Sequence, residues 1–208
     1  MDSRLTKRLD AYLVQNKDMI NMEIKEHSER VEKYAKMIVD NTTTKYDREF
    51  IGLCGRYHDI GKCFINEYYP DVLKTEFFKN YEKDVIRQHT IMGVELLYEA
   101  MLKENIRMDK ELERLTDAIL FHHENLDGSG YLHRKTIPEV AQIIAVADRF
   151  SAGIEKRLYH EAKSPQIVIA EMKSAQEELL NQEYVKALEK GLEKEKIWQK
   201  SKSSEWER

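Results

Sequence analysis

The 208-residue sequence predicts an all-α fold, and two observations carry that prediction. Apolar residues recur every three to four positions along most of the chain, which is the spacing that one face of a helix requires. Residues that interrupt helices are few, because the chain has only three prolines and eight glycines. We expect a single helical domain over 1–208, with a core over about 20–175 and a helical C-terminal tail over about 182–200.

The first half of the chain predicts three helices, which we place at residues 3–15, 21–40 and 46–58. Leu5 and Leu9 show the helical spacing in the first of them. A polar stretch separates the second helix from the third, and Thr44-x-x-Asp47 is typical of a helix start. The aromatic segment 63–76 has no clear period, and we expect irregular structure there.

The second half predicts helices near 78–104, from Asp109 to about 123, from 136 to beyond 148, and from Ser164 to about 180. The third of these begins with Thr136-Ile-Pro-Glu139, which is typical of a capping box with proline in the first turn. An Asp-Gly-Ser-Gly turn places a loop at 125–135. The tail carries an apolar stripe that can pack in cis or across a homodimer: Leu188, Leu192 and Trp198.

Composition excludes several classes of protein. No stretch of eighteen apolar residues is present, so we expect no membrane span, and the N-terminus lacks the apolar core of a secretory signal. Cys54 and Cys63 form no CxxC pair, and we expect free core thiols in a reducing cytoplasm. The formal net charge of −4 argues against bulk binding of nucleic acid, although a small anionic substrate needs only a local cation.

Histidines and acids form a pattern that is typical of a metal site. The His-Asp and His-His dipeptides, and a late Asp in an apolar helix, do not fit a simple core pattern. Imidazole and carboxylate together suit iron, manganese or zinc, and several such ions close together commonly cut phosphate esters. The candidate ligands are His27, His58, Asp59, His89, His122, His123 and Asp148.

The spacing of these residues gives further expectations. Glu23 and His27 are four residues apart, so they share a helical face and can reach one metal. Adjacent residues on a helix diverge, so we expect His58 and Asp59 to serve two neighbouring ions, or one ion and a bridging carboxylate. The Ile-Gly that follows lets the chain turn and presents Lys62 beside the metals. Two histidines outside the pattern are expected to be solvated: His133 and His160.

In this order the motifs resemble those of the HD superfamily of metal-dependent phosphohydrolases, and of its HD-GYP branch, whose members hydrolyse cyclic di-GMP. The resemblance covers roughly residues 20–175. It implies a bundle of about 8–10 helices around two or three divalent metal ions, with iron or manganese favoured. The matching segments are His58-Asp59-Ile-Gly-Lys62, His89-x3-Gly93, His122-His123-Glu-x2-Asp-Gly-x-Gly-Tyr131 and Ala147-Asp148-Arg-Phe150.

The resemblance also implies a role for each residue. The seven candidates above would be metal ligands, and Glu23 matches an acidic ligand of three-metal members. Asp59 would bridge two metals and position a bridging hydroxide for attack on phosphorus, while Lys62 would hold a phosphate oxygen. Three residues would contact the dinucleotide or shape its pocket: Gly130, Tyr131 and Arg157.

Some substrate-contact positions differ from the branch. Leu132 stands where proline completes the Gly-Tyr-Pro motif, and Ser151 stands where the branch has a second aspartate. Hydrolysis of cyclic di-GMP in bacterial signalling is the favoured function. Two alternatives stay open: an HD phosphohydrolase for other nucleotides or dinucleotides, and a non-catalytic metal-loaded module that binds a messenger.

Overall fold

The computed structural model describes residues 1–15, 19–74, 80–155, 162–174 and 177–195. Within these ranges all regular structure is α-helical, which confirms the predicted fold class. None of the described helices is long and apolar enough to cross a membrane. The helices are α1 (Ser3–Leu13), α2 (Met19–Val39), α3 (Arg48–Tyr57), α4 (Gly61–Tyr68), α5 (Pro70–Lys74), α6 (Asn80–Arg87), α7 (His89–Lys103), α8 (Lys110–Phe121), α9 (Glu139–Ile154), α10 (Pro165–Lys173) and α11 (Gln182–Lys194).

Several expected helix bounds were wrong, and the eleven described helices exceed the expected 8–10. Of the expected irregular segment 63–76, the described residues 63–74 lie mostly in α4 and α5. The rings of Phe64 and Tyr68, four residues apart on α4, lie 4.4 Å apart. The expected single helix near 78–104 is divided at Gln88, where a tight backbone hydrogen bond from Gln88 N to Val85 O ends α6. The helix expected to reach about 180 ends at residue 173.

The predicted helix starts at Asp109 and Ser164 are confirmed by their caps, whereas α3 begins at Arg48 and is capped by Asp47 rather than by Thr44. The side chains of Asp47, Asp109 and Ser164 each accept a hydrogen bond from a backbone N–H in the first turn of α3, α8 and α10. Each cap satisfies one of the amide groups that the first turn of a helix leaves without a helical partner. The polar residues that preceded these helices in the sequence therefore fix where the helices begin.

The predicted capping box before α9 was wrong. Pro138 occupies the cap position, and no side chain caps the helix there. Glu139 instead accepts hydrogen bonds from the hydroxyls of Thr44, at 3.1 Å, and Tyr184, at 2.8 Å. These bonds connect the start of α9 to the loop before α3 and to α11, so a tertiary contact has replaced the local one.

The hydrophobic core is built around α2, α3 and α9, and it extends to α1 and α11. Tyr34 of α2 meets Phe150 of α9 edge to face, with ring centroids 4.8 Å apart. Leu188 and Leu192 of α11 are fully buried against the rest of the chain, while Trp198 lies outside the described residues. Cys54 and Cys63 are buried free thiols, as expected.

A close helix contact sets the position of the turn between α3 and α4. A Cβ atom on Gly61 would lie 2.0 Å from the carbonyl oxygen of His89 and 2.6 Å from the amide nitrogen of Gly93. Because both atoms belong to the backbone of α7, only glycine allows the start of α4 to approach α7 this closely. The contact brings residues 58–62 beside the first residue of α7.

We predict that Gly61→Ala lowers the free energy of unfolding by about 2–3 kcal/mol, because the added methyl forces α4 and α7 apart. Gly52→Ala is the matched control, since its Cβ would meet only the flexible end of the Lys36 side chain. Alanine also favours a helix interior over glycine, so Gly52→Ala should stay within about 1 kcal/mol of the parent protein. Urea unfolding followed by circular dichroism measures both values, and equal effects would contradict the prediction.

Candidate metal centre

Five structural elements bring the seven predicted ligands to one place in the helix bundle. The ligands lie in the middle of α2, in the turn after α3, at the first residue of α7, just after α8, and late in α9. They form three overlapping groups, in each of which one donor atom per residue lies within 4.8 Å of the others. The groups are Asp59–His89–His122–His123, His27–His58–Asp59 and His58–His122–Asp148.

The Asp59 carboxylate lies at the centre of the cluster and is 1% exposed. Its Oδ1 lies 3.1 Å from His89 Nε2 and 3.5 Å from His122 Nε2. Its Oδ2 lies 3.4 Å from His58 Nε2 and 3.9 Å from His27 Nε2. The two oxygens therefore face different pairs of imidazoles, so one carboxylate can contact two adjoining cation positions.

Two further charged side chains complete the cluster. Asp148 on α9 directs Oδ1 to His27 Nε2 at 2.9 Å and to His58 Nε2 at 3.7 Å. Lys62, in the first turn of α4, donates from Nζ to Asp59 Oδ2, and its side chain is 23% exposed. The lysine therefore connects the buried carboxylate to the edge of the site, where an incoming anion can reach it.

The fold orients three of the imidazoles through their outer nitrogen. Each Nδ1 lies within hydrogen-bond distance of a backbone carbonyl about one helical turn earlier, and a carbonyl oxygen only accepts. The proton therefore sits on Nδ1, and the lone pair of Nε2 points into the cluster. The pairs are His58 to Gly55 at 2.7 Å, His89 to Ile86 at 2.6 Å and His122 to Ile119 at 2.9 Å.

The arrangement of lone pairs fits metal ions. Nε2 of His89 and Nε2 of His122 face each other at 3.3 Å, although both Nδ1 atoms carry the proton. His58 Nε2 and Asp59 Oδ1 are buried and receive no directed hydrogen bond from the described part of the chain. Buried lone pairs that face one another are costly, and divalent cations between imidazole nitrogens and carboxylate oxygens remove that cost.

Both carboxylates stay ionised. Burial raises the pKa of Asp59, but the charge of Lys62 and the contact with His58 outweigh it and bring the value well below the usual range. Burial acts on Asp148 in the same way, and its contacts with His27 and His58 bring its pKa well below the usual range too. Ionised carboxylates are the form that binds a cation.

The histidines respond to burial and to these carboxylates in different ways. Burial lowers the pKa of His122 to about 4, although Asp59 opposes the shift, and burial also brings the pKa of His123 well below the usual range. Both rings are therefore neutral, which is the form that ligates metals. Burial lowers the pKa of His58 as well, but Asp59 and Asp148 outweigh it and raise the value to about 10. The two carboxylates thus favour a positive charge beside His58 Nε2, and a divalent cation would supply it in place of a second ring proton.

The residues expected to shape the substrate pocket lie on the side of the cluster that His123 forms. The ring of Tyr131 packs against His123 with centroids 4.5 Å apart, and the guanidinium of Arg87 lies 5.5 Å from the Tyr131 centroid. A Cβ on Gly130 would lie 2.4 Å from the Cα of Glu124, so glycine allows the loop to pack onto the His-His segment. These contacts place an aromatic wall beside the candidate metal ligands.

Two acids that lie beside the cluster, one buried and one half-buried, were not among the site residues predicted from the sequence. Glu124 is 2% exposed, and its carboxylate accepts hydrogen bonds from the backbone amides of Leu132, at 2.8 Å, and Arg134, at 2.7 Å. Its position directly after the His-His pair and before a glycine-rich loop was the available signal. Glu155 contacts His27 Nδ1 at 2.9 Å, and no local pattern points to that contact.

Other expected site residues are placed differently or lie outside the described part. Glu23 is exposed, one turn before His27 on α2, and it belongs to none of the three groups. Arg157 and His160 lie outside the described residues, and His133 is exposed as expected. His58 and Asp59 join His27 in one group, because α3 ends at residue 57 and a tight turn follows, and Asp59 also belongs to a second group. How these two residues divide between ions stays a prediction.

We predict that Asp59→Asn lowers Mn²⁺ affinity by more than about 100-fold, because the shared carboxylate loses its charge with no change in shape. Asp109→Asn is the matched control, since Asp109 is an exposed helix cap and asparagine caps equally well. Elemental analysis of the purified proteins and Mn²⁺ titration measure the difference. Parental affinity in Asp59→Asn would contradict the central position of this carboxylate.

A family comparison agrees with this geometry. The HD domain model matches residues 24–153, which is more than half of the chain and includes all seven clustered residues. The chain belongs to the HD domain family. Members of this family bind divalent metals, and the His and Asp groups of this HD domain can hold them.

Individual relatives and a solved structure are similar to this HD domain. It is 35% identical to a cyclic di-GMP phosphodiesterase of Thermotoga maritima over 66% of this chain and 36% of the relative. It is 29% identical to a 3'3'-cGAMP-specific phosphodiesterase of Vibrio cholerae over 80% of this chain and 35% of the relative. The chain thus spans about a third of the length of these curated relatives.

The solved structure of an HDGYP protein from Bdellovibrio bacteriovorus has the same fold, with a TM-score of 0.63. The alignment covers 91% of this HD domain and 63% of that chain at 13% sequence identity. Because identity is so low, the match supports the all-helical architecture and leaves the chemistry to be argued from the residues of this chain.

Proposed function

We propose that this HD domain is a metal-dependent phosphodiesterase that hydrolyses cyclic di-GMP. The observation that carries the proposal is the shared carboxylate: Asp59 belongs to two of the three donor groups and faces a different imidazole pair with each oxygen. Neighbouring cations held in this way lower the pKa of water and neutralise charge on phosphoryl oxygens. The similarity to the Thermotoga maritima phosphodiesterase supports a cyclic dinucleotide as substrate.

The donor groups suggest how the ions divide among the residues. We propose two or three divalent ions, with iron or manganese favoured, because imidazole nitrogen and carboxylate oxygen suit both. One group with Asp59 would hold the first ion and the other group with Asp59 would hold its neighbour. A third ion would require the exposed Glu23 side chain to turn towards His27, four residues later on α2.

The remaining residues would bind and orient the substrate. The Lys62 ammonium beside Asp59 Oδ2 is placed to hold a non-bridging phosphate oxygen and to stabilise the charge that develops on it. Tyr131, packed on His123, would offer an aromatic face to a base of the dinucleotide, and Gly130 would keep that wall close to the ligands. Arg157 would contact the far side of the dinucleotide.

A different cyclic dinucleotide is the second candidate substrate. The Vibrio cholerae relative, which aligns with 80% of this chain, is specific, by its name, for 3'3'-cGAMP. Leu132, directly after Tyr131, is exposed at the position where the HD-GYP motif has proline. Because this side chain stands beside the proposed base-binding wall, it can change which base is accepted without changing the ligand cluster.

We predict that the full chain loaded with Mn²⁺ or Fe²⁺ converts cyclic di-GMP to linear pGpG, faster than it hydrolyses 3'3'-cGAMP or cyclic di-AMP. Chromatography of the products over time measures the three rates, and Asp59→Asn serves as the inactive control. Faster turnover of 3'3'-cGAMP would favour the second candidate. Metal-loaded protein that binds but cleaves none of the three would contradict an enzymatic function.

A second prediction concerns the proposed phosphate contact. Lys62→Met should reduce kcat by about 10²–10³-fold, because one charged donor to the phosphoryl group is lost, while bound metal is retained. Lys103→Met is the matched control, since Lys103 pairs with Glu99 on the exposed face of α7. Unchanged kinetics in Lys62→Met would remove the role assigned to this lysine.

A further inference from the structure

Glu155 makes an unusual set of contacts behind the metal-ligand candidate His27. Its Oε1 lies 2.9 Å from His27 Nδ1, accepts a hydrogen bond from the Ser151 hydroxyl at 2.8 Å, and accepts another from Arg30 at 2.7 Å. The Glu155 side chain is 14% exposed, and the His27 side chain is 7% exposed. One carboxylate oxygen therefore lies where three donors from α2 and α9 converge.

The stability of α9 does not explain this position. Glu155 is the C-cap residue of α9, and a negative charge at the C-terminus of a helix opposes the helix dipole. The Arg30 guanidinium offsets part of that cost, but it pairs with Glu155 from the outside, through side chains that are partly exposed. Neither the helix dipole nor the pairing with Arg30 explains the contact between the Glu155 carboxylate and the His27 imidazole.

The Nδ1 partner of His27 differs in kind from those of three other imidazoles in the cluster. His58, His89 and His122 each place Nδ1 on a backbone carbonyl about one turn earlier in the chain. His27 lies in the middle of α2, where the preceding carbonyls serve the helix itself. Its Nδ1 instead meets an acid that lies 128 residues later in the sequence. A carboxylate is also a stronger acceptor than a neutral carbonyl, because it is charged.

We propose that Glu155 is the positioning residue for His27: it fixes the proton on Nδ1 and turns Nε2 towards Asp59 and Asp148, and Ser151 holds it in place. The Ser151 hydroxyl is fully buried and lies 3.2 Å from His27 Nδ1, so it is next to the same nitrogen but brings no charge. Ser151 thus holds Glu155, and Glu155 supplies the carboxylate beside His27 Nδ1 that the serine itself cannot supply. The inference rests on the metal centre of the proposed function but not on its substrate.

Mn²⁺ affinity of the full chain tests this role, measured by titration with the electron paramagnetic resonance signal of free Mn²⁺. We expect Glu155→Ala to lower the affinity for the Mn²⁺ ion at the His27 position by about 10–100-fold. Glu155→Gln keeps an acceptor oxygen but no charge, so its loss should be smaller. The double variant Glu155→Ala with Ser151→Asp places a carboxylate beside the same nitrogen and should recover most of the affinity.

The controls separate positioning from a merely structural role. Glu171→Ala removes an acid of α10 that pairs with Lys163. The Mn²⁺ affinity of this variant should match that of the parent. Melting curves in chelator identify any variant that fails to fold, and Glu155→Gln carries the test if Glu155→Ala is such a variant. Parental affinity in both single variants, or no recovery in the double variant, would overturn the proposal. Because Mn²⁺ binding is the readout, the result does not depend on whether cyclic di-GMP is cleaved.

Discussion

The structure depends above all on one buried carboxylate and on the positive charge that surrounds it. Asp59 is almost inaccessible to solvent, yet it stays ionised, and this is possible only because imidazoles and a lysine converge on it from separate helices. Each of these contacts offsets part of the cost of burying the charge. The ends of α3, α7 and α8 are therefore held together by electrostatics as well as by apolar packing. The same arrangement concentrates lone pairs in a small volume, which suits divalent cations.

The precision of the cluster comes from where its ligands stand on their helices. Three imidazoles follow the C-terminal ends of α3, α6 and α8, where backbone carbonyls of the last helical turn can accept a hydrogen bond from Nδ1. Backbone acceptors hardly vary with sequence, so these orientations are secured by the fold itself. His27 is the exception, because it lies within α2 and depends on a side chain from α9. The cluster thus combines three orientations set by the backbone with one set by a side chain.

The sequence was sufficient for the local features of this protein and insufficient for the tertiary ones. Helical spacing and polar caps predicted most helices, and the order of histidines and acids predicted which side chains converge. The reassigned Glu139 depends on contacts with distant segments, which a local pattern does not contain. His58 and Asp59 share a donor group because α3 ends at residue 57 and a tight turn follows, whereas adjacent residues on a regular helix would point apart. The contact of Glu155 spans too much sequence to be recognised without a fold.

The Glu124 carboxylate separates two parts of the site that could otherwise disturb each other. By holding the backbone amides at 132 and 134, it anchors the returning end of the glycine-rich loop directly to the residue that follows the His-His pair. The anchor accepts from main-chain amides, so apart from Gly130, which packs against Glu124 itself, it is indifferent to which side chains the loop displays. Mutations within the loop can accumulate and alter ligand preference over evolutionary time, while the inorganic chemistry beneath them is left intact.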